Sequence, residues 1–206
     1  MLLGLQGMII ARIAGVTVTQ NEDGSVVWTS GAEIDADGAN GQAGGPFAYR
    51  YPDDDGLDRL IDAGWPNEEW TDVLYSDGSG HPLTDGNGNV YSKTSLILPG
   101  SVANRAVDAW SVPYVVVNPH VQRNAAGVIL GCLATVSYQG RSIEAVVADV
   151  GPSGRIGEIS VAAAKALGIA DSPLSGGVSK FLVSYMLYPN KGAAVLNGIT
   201  YPLQRA

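Results

Sequence analysis

Residues 147–169 read VADVGPSGRIGEISVAAAKALGI. An apolar strand ends at Asp149, a Gly-Pro-Ser-Gly loop follows, and RIGEIS leads into an alanine-rich helix, so Glu158 stands nine residues beyond Asp149, across the loop. Ser160 is placed to cap that helix and Gly168 to stop it. Each acid has a structural reading: Asp149 can cap a turn through its own backbone, and Glu158 can favour the positive end of the helix dipole. A carboxylate at the end of a buried strand is also partly desolvated, which raises its pKa toward the range of a general acid, while a second one across a short loop stays ionised and activates water. Two such groups are enough for hydrolysis without a nucleophile motif.

Working outward, the runs VPYVVVNP, GVILGCLATVSY, IEAVVADVG and KFLVSYMLYP have strand length and are bounded by Gly, Pro and Asn. Gln139-Gly140 reads as the centre of a hairpin, and Asp23-Gly24 as the turn of another within VTVTQNEDGSVVW. Helices are short and few, predicted near residues 56–64, 101–110 and 160–168. The chain of 206 residues is 46% apolar and suits one domain, mainly β with short helices and long loops, a barrel or a sandwich.

Residues 31–85 carry 13 of the 20 acids against Arg50 and Arg59 alone, and the net charge is −8. That balance argues against nucleic acid, whose phosphates need a basic stripe, and suits a cationic ligand. DADGANG from Asp35 fails as a calcium loop: Ala39 stands at the fifth position and Pro46 replaces the closing Glu. Two histidines and one cysteine leave little for zinc, so no metal or cofactor is expected, although an all-oxygen cation site in the acidic half stays open. Cys132 reads as a buried strand residue. No nucleophile elbow or phosphate loop lies at a strand-to-helix junction. The N-terminal MLLGLQGMIIARIAGV lacks a basic leader and is broken by Arg12, so it reads as neither signal peptide nor membrane span.

The segments GAEIDADGANGQAGGPFAYRYPDDDGLDRLIDAGWP, YSKTSLILPG, VPYVVVNP, GVILGCLATVSYQGRSIEAVVADVGPSGRIGEISVAAAKALGI and GGVSKFLVSYMLYPN, in order over about residues 31–190, resemble the glycoside hydrolase family 75 chitosanases. The resemblance implies an endo-acting, inverting hydrolase of the β-1,4 linkages of chitosan, with Asp149 and Glu158 as the two acids. DVGPSGRIGEISVAAAKALGI is also similar to a segment of rare lipoprotein A, which implies a six-stranded double-psi β-barrel and favours Asp149 as proton donor, with the reverse assignment open. Asp35 and Asp37, after a strand-like run, are candidate substrate ligands or a third catalytic carboxylate. Tyr49, Thr94 and Ser95 are further substrate-binding candidates, and Tyr49, Tyr51, Trp65, Trp70 and Tyr91 are candidates for stacking on sugar rings, most of them expected to lie partly in the core. Asp53, Asp54, Asp55 and Asp58 are candidates for the cleft lining or a solvated loop. The partner expected is the cationic polysaccharide, with no nucleic acid or membrane, the chain a monomer, and the location extracellular. The alternatives are a peptidoglycan lytic transglycosylase, which needs one acid, and an expansin-like module that binds polysaccharide without cutting it.

Overall fold

A computed structural model describes residues 7–52, 55–67 and 69–205. The expected Asp53 and Asp54, and the start of the apolar N-terminal stretch, lie outside the described residues. Eleven strands are formed: β1 (Met8–Ile13), β2 (Val16–Gln20), β3 (Val26–Asp35), β4 (Tyr49–Arg50), β5 (Asn89–Val90), β6 (Tyr114–Val117), β7 (Cys132–Tyr138), β8 (Arg141–Val150), β9 (Glu158–Ser160), β10 (Val178–Leu196) and β11 (Ile199–Tyr201). The helices are α1 (Trp70–Val73), α2 (Val102–Arg105), α3 (Pro119–Asn124) and α4 (Val161–Leu167).

Six strands close on themselves in the order β3-β9-β6-β8-β7-β10 and back to β3. The β3–β9 and β6–β8 pairs are parallel and the other four antiparallel, so the mainly β, six-stranded barrel expected from the sequence is present. Closure leaves these strands no free edge. β1 and β2 extend from β3, and β11 from β10. β6 is buried along its whole length, as its run of apolar residues requires, while β7 alternates buried and half-buried positions. Val115, Val117, Val136, Val146 and Val147 are buried in the core on the barrel strands.

The Gln139-Gly140 turn forms as read, with both residues at positive φ and Tyr138 opposite Arg141. Ala14-Gly15 and Asn197-Gly198 make the same kind of turn and split what reads as continuous strand. The helix predicted near 56–64 is replaced by separate turns, in which Asp62 N–H bonds Arg59 O and Gly64 N–H bonds Ile61 O. That stretch has Gly at both ends and Pro66 just beyond, too short a run to repay helix nucleation. The one predicted near 101–110 stops at Arg105, because Ala106 turns extended and Val107 N–H donates to Thr94 Oγ1 at 2.9 Å.

α4 matches its prediction. Ser160 Oγ accepts Ala163 N–H at 3.1 Å, and Gly168 ends the helix at φ 73°. The same fully buried hydroxyl accepts Tyr114 N–H at 3.0 Å and donates to Val112 O at 2.8 Å. Ser160→Ala therefore strands three backbone groups and is expected to lower stability by about 2–3 kcal/mol, read from urea unfolding; a loss no larger than that of a simple surface cap would contradict this.

No helix among the described residues is long and apolar enough to cross a membrane.

Candidate functional site

A groove of about 1000 Å³ opens where the ends of β3, β8 and β9 meet the loops of the acidic half. Asp35, Asp37, Asp149 and Glu158 all line it, with Glu33, Asp58, Asp62, Glu69 and Asp72, against three cations, Arg59, Lys93 and Arg155. A second hollow of about 650 Å³, beside the stacked rings of Trp28 and Tyr185, is lined by no Asp, Glu, His, Lys or Arg, so the titratable acids and bases gather in the first.

Strand register sets the site. Val116 of β6 is opposite Asp149 of β8 on one side and Glu158 of β9 on the other. Two strand spacings put the two acids roughly 10 Å apart at their Cα atoms, on either side of a valine that also lines the groove. A Cβ on Gly151 would stand 3.1 Å from Val116 and 3.2 Å from Glu158 Oε2, so the glycine keeps this part of the groove open.

The two carboxyls differ in surroundings. Asp149 Oδ1 accepts three hydrogen bonds, from Ser95 Oγ at 2.6 Å, Ser95 N–H at 2.8 Å and Val150 N–H at 2.8 Å. Burial raises its pKa and these donors oppose the rise. Glu158 has its pKa pushed well above the usual carboxylate range, first by burial and then by repulsion from Asp35, Asp149 and Glu33, opposed by Arg155. Glu158 is thus the carboxyl more readily kept protonated, and Asp149 the one more readily ionised.

Asp35, at the end of β3, accepts Asp37 N–H at 2.8 Å, and its Oδ2 lies 2.9 Å from the Tyr114 hydroxyl, which is also 2.9 Å from Asp37 O. Burial and the charge of Asp149 raise the Asp35 pKa to about 7. Asp37 is pushed well up by burial and by Asp35, while Tyr49 donates to its Oδ1 at 2.7 Å. Carboxylate oxygens of Asp35, Asp37 and Asp149 lie within 4.8 Å of one another, the one group among the described residues with the spacing to hold a cation. An all-oxygen set of this kind suits a hard divalent ion.

Among the other predicted residues, Ser95 lines the groove, and its hydroxyl donates to Asp149 Oδ1. The Thr94 hydroxyl, 5% exposed, is spent on Leu96 O at 2.9 Å and Val107 N–H at 2.9 Å, a structural role at the groove wall. Tyr49 is buried against Asp37 and offers no open ring face. Tyr51, Trp65 and Trp70 pack edge to face on one another, and Tyr91 on Phe47; none of these lines the groove, contrary to their reading as sugar platforms. Asp58 lines the groove and burial raises its pKa, whereas Asp55 is exposed and pairs with Arg50 at 2.8 Å. Cys132 is buried, its thiol pushed up to about 12 by desolvation, and is inert at neutral pH.

Tyr114, Glu33 and Arg155 escaped the sequence reading. Tyr114 is one residue of an apolar strand, and its carboxyl partner lies 79 positions away. Arg155 pairs with Glu33 at 3.2 Å at the groove rim, and only its position inside the loop from Asp149 to Glu158 hinted at a role.

No protein-family model matches this chain, and no curated protein does. Among solved structures it is similar to the Streptomyces papain inhibitor, at 28% identity over 39% of this chain and 74% of that one, with a TM-score of 0.29.

Proposed function

We propose that the chain is an endo-acting chitosanase that hydrolyses β-1,4 linkages between glucosamine units with inversion. The observation that carries this reading is the pair Asp149 and Glu158, held in register on either side of Val116 in one acidic groove. Inverting glycosidases hold their carboxyls about 6.5–9.5 Å apart, leaving room for a water, whereas retaining ones need about 5 Å. A two-strand offset of roughly 10 Å between Cα atoms admits either spacing, according to how the side chains lean, and the family resemblance of residues 31–190 favours inversion.

Glu158, kept protonated by its desolvated and acidic surroundings, donates the proton to the leaving glycosidic oxygen. Asp149, ionised and oriented by Ser95, takes a proton from the attacking water. This reverses the assignment favoured from the sequence, because the three donors on Asp149 stabilise its charged form and hydrogen bonds to Glu158 do not act among the causes of its shift. Nine carboxyls against three cations along the groove attract a polymer of protonated amines and repel anionic glycans such as bacterial wall.

The test is hydrolysis of soluble chitosan with the product anomer followed by NMR. The α-anomer is expected to form first. The pH–rate profile is expected to be a bell: activity falls as pH drops through the Asp149 pKa, which protonates the base, and falls again as pH rises through the raised Glu158 pKa, which removes the acid. Retention on chitosan without any reducing-end release would reject the enzyme for a binding module, and anhydro sugars from peptidoglycan would reject it for a lytic transglycosylase.

A further inference from the structure

Asn118 follows β6 and caps α3, with 2% of its surface exposed. Its Oδ1 accepts His120 N–H at 2.8 Å. Its Nδ2 lies 2.7 Å from Arg155 O, 2.9 Å from Ser153 O and 3.2 Å from Pro152 O. An N–H at one end and three carbonyls at the other leave a single orientation for the amide. A helix cap needs only the oxygen, so capping does not account for three carbonyls gathered around the nitrogen.

Those carbonyls belong to the loop that joins Asp149 to Glu158. The loop is also pinned at both ends. Gly151 N–H bonds Val117 O at 3.0 Å, and Gly157, at φ 98°, could carry no Cβ, which would stand 2.2 Å from Ser30 Oγ and 2.6 Å from Gly31 O. Between these anchors the Asn118 amide holds the middle, one residue past the end of the strand whose Val116 lies between the two acids.

We propose that Asn118 is a positioning residue for the carboxyl pair: its amide clamps the loop at 152–155, and the clamped loop holds Glu158 and Arg155 in place and keeps water from behind Glu158. This rests on the reading of Asp149 and Glu158 as the working pair. A loop released from the amide would let Glu158 hydrate and Arg155 swing from Glu33, so the proton donor would lose both its dry setting and its fixed distance from Asp149.

Asn118→Ser keeps an oxygen to cap α3, since Ser ranks with Asn at that position, and removes both amide protons. Expected are backbone amide exchange at Gly151 and Arg155, the hydrogen-bonded N–H groups of the loop, faster by about tenfold or more, a carbon-13 NMR titration of Glu158 moved down toward the ordinary range because lost desolvation, the larger cause, outweighs the lost Arg155 charge, and kcat on chitosan lower by about tenfold to a hundredfold with KM within about twofold. The unmodified chain supplies a readout that needs no variant: its Asn118 side-chain amide protons are expected to exchange far more slowly than those of an exposed asparagine. Fast exchange of those protons, or unchanged loop exchange in folded Asn118→Ser, overturns the clamp whatever the substrate. A loosened loop with an unmoved Glu158 titration overturns the positioning role. Chitosan hydrolysis by the unmodified chain judges the parent reading separately, since neither exchange nor titration depends on it.

Discussion

Glu158→Gln is expected to lower turnover on soluble chitosan by about 10³-fold, within the 10²–10⁴ that a positioned acid or base contributes, while the variant stays bound to the polymer. Gln keeps the shape and the hydrogen-bonding reach but has no acidic proton to hand to the leaving oxygen. Asp149→Asn is expected to fall by a similar factor, for the opposite reason. An amide cannot take a proton from water, and its NH₂ group would face the Ser95 and Val150 donors if it replaced Oδ1. The two variants should damage opposite limbs of the pH–rate bell: the alkaline limb belongs to Glu158 and the acid limb to Asp149. Kinetics on a substrate with an activated leaving group separates them further, since such a leaving group needs little protonation and rescues Glu158→Gln but not Asp149→Asn. Turnover near that of the unmodified chain in either variant removes that residue from the mechanism.

The second large effect concerns stability. Asp35 has its pKa raised to about 7 in the folded chain, from an ordinary 3.8, because burial and the nearby Asp149 charge disfavour its ionisation. Below the ordinary value both folded and unfolded chains hold the proton. As pH rises between the two values the unfolded chain releases it and the folded chain retains it, so unfolding is favoured. The stability present below about pH 4 is therefore lost by about pH 7, on the order of 4 kcal/mol for a shift of about three units. Asp37 and Glu158, also raised, act in the same direction. Denaturant midpoints are expected to be higher at about pH 5 than at about pH 8, and Asp35→Asn, which carries no charge to desolvate, should lessen that slope and leave the share of Asp37 and Glu158. A midpoint that stays level or climbs over this range would show that Asp35 is not held neutral by its neighbours.

Much of the fold is legible in local pattern. Gln139-Gly140 between two apolar runs is a turn because both residues must take positive φ, and the structure bears this out. Ser160 and Gly168 bracket α4 as their side-chain chemistry dictates. Where local pattern misled, tertiary contact prevailed over a weak propensity. Residues 56–64 have helical spacing of leucines, yet the chain there turns back on the residues before β4: Leu57 N–H bonds Phe47 O, Asp58 N–H bonds Ala48 O, and Gly56 packs so close to Ala48 O that a Cβ would stand 2.4 Å from it. Ala14-Gly15 hardly interrupts an apolar run, whereas Asn197-Gly198 is itself a strong hairpin signal, borne out where β10 turns into β11.

Four of the groove's carboxyls were legible in the sequence; their relations were not. Asp149 and Glu158 announce themselves by flanking a Gly-rich loop, and Asp35 and Asp37 by following a strand between glycines. Thr94 and Ser95 are adjacent in the chain, but one hydroxyl is consumed by backbone and the other by Asp149, a difference that no spacing rule conveys. The aromatic residues proposed as sugar platforms find one another instead, since edge-to-face packing satisfies them without a ligand.

What the sequence by itself determined is most of the barrel strands, the capped helix and the candidate acids, because alternation, turn chemistry and capping act over a few neighbouring residues. What only the tertiary structure decided is which carboxyl holds a proton. That depends on barrel closure, which brings Asp35 of β3, Asp149 of β8 and Glu158 of β9 into one desolvated groove. Burial and mutual repulsion are properties of groups distant in the chain and close in space, so they come into being only when the strands pair.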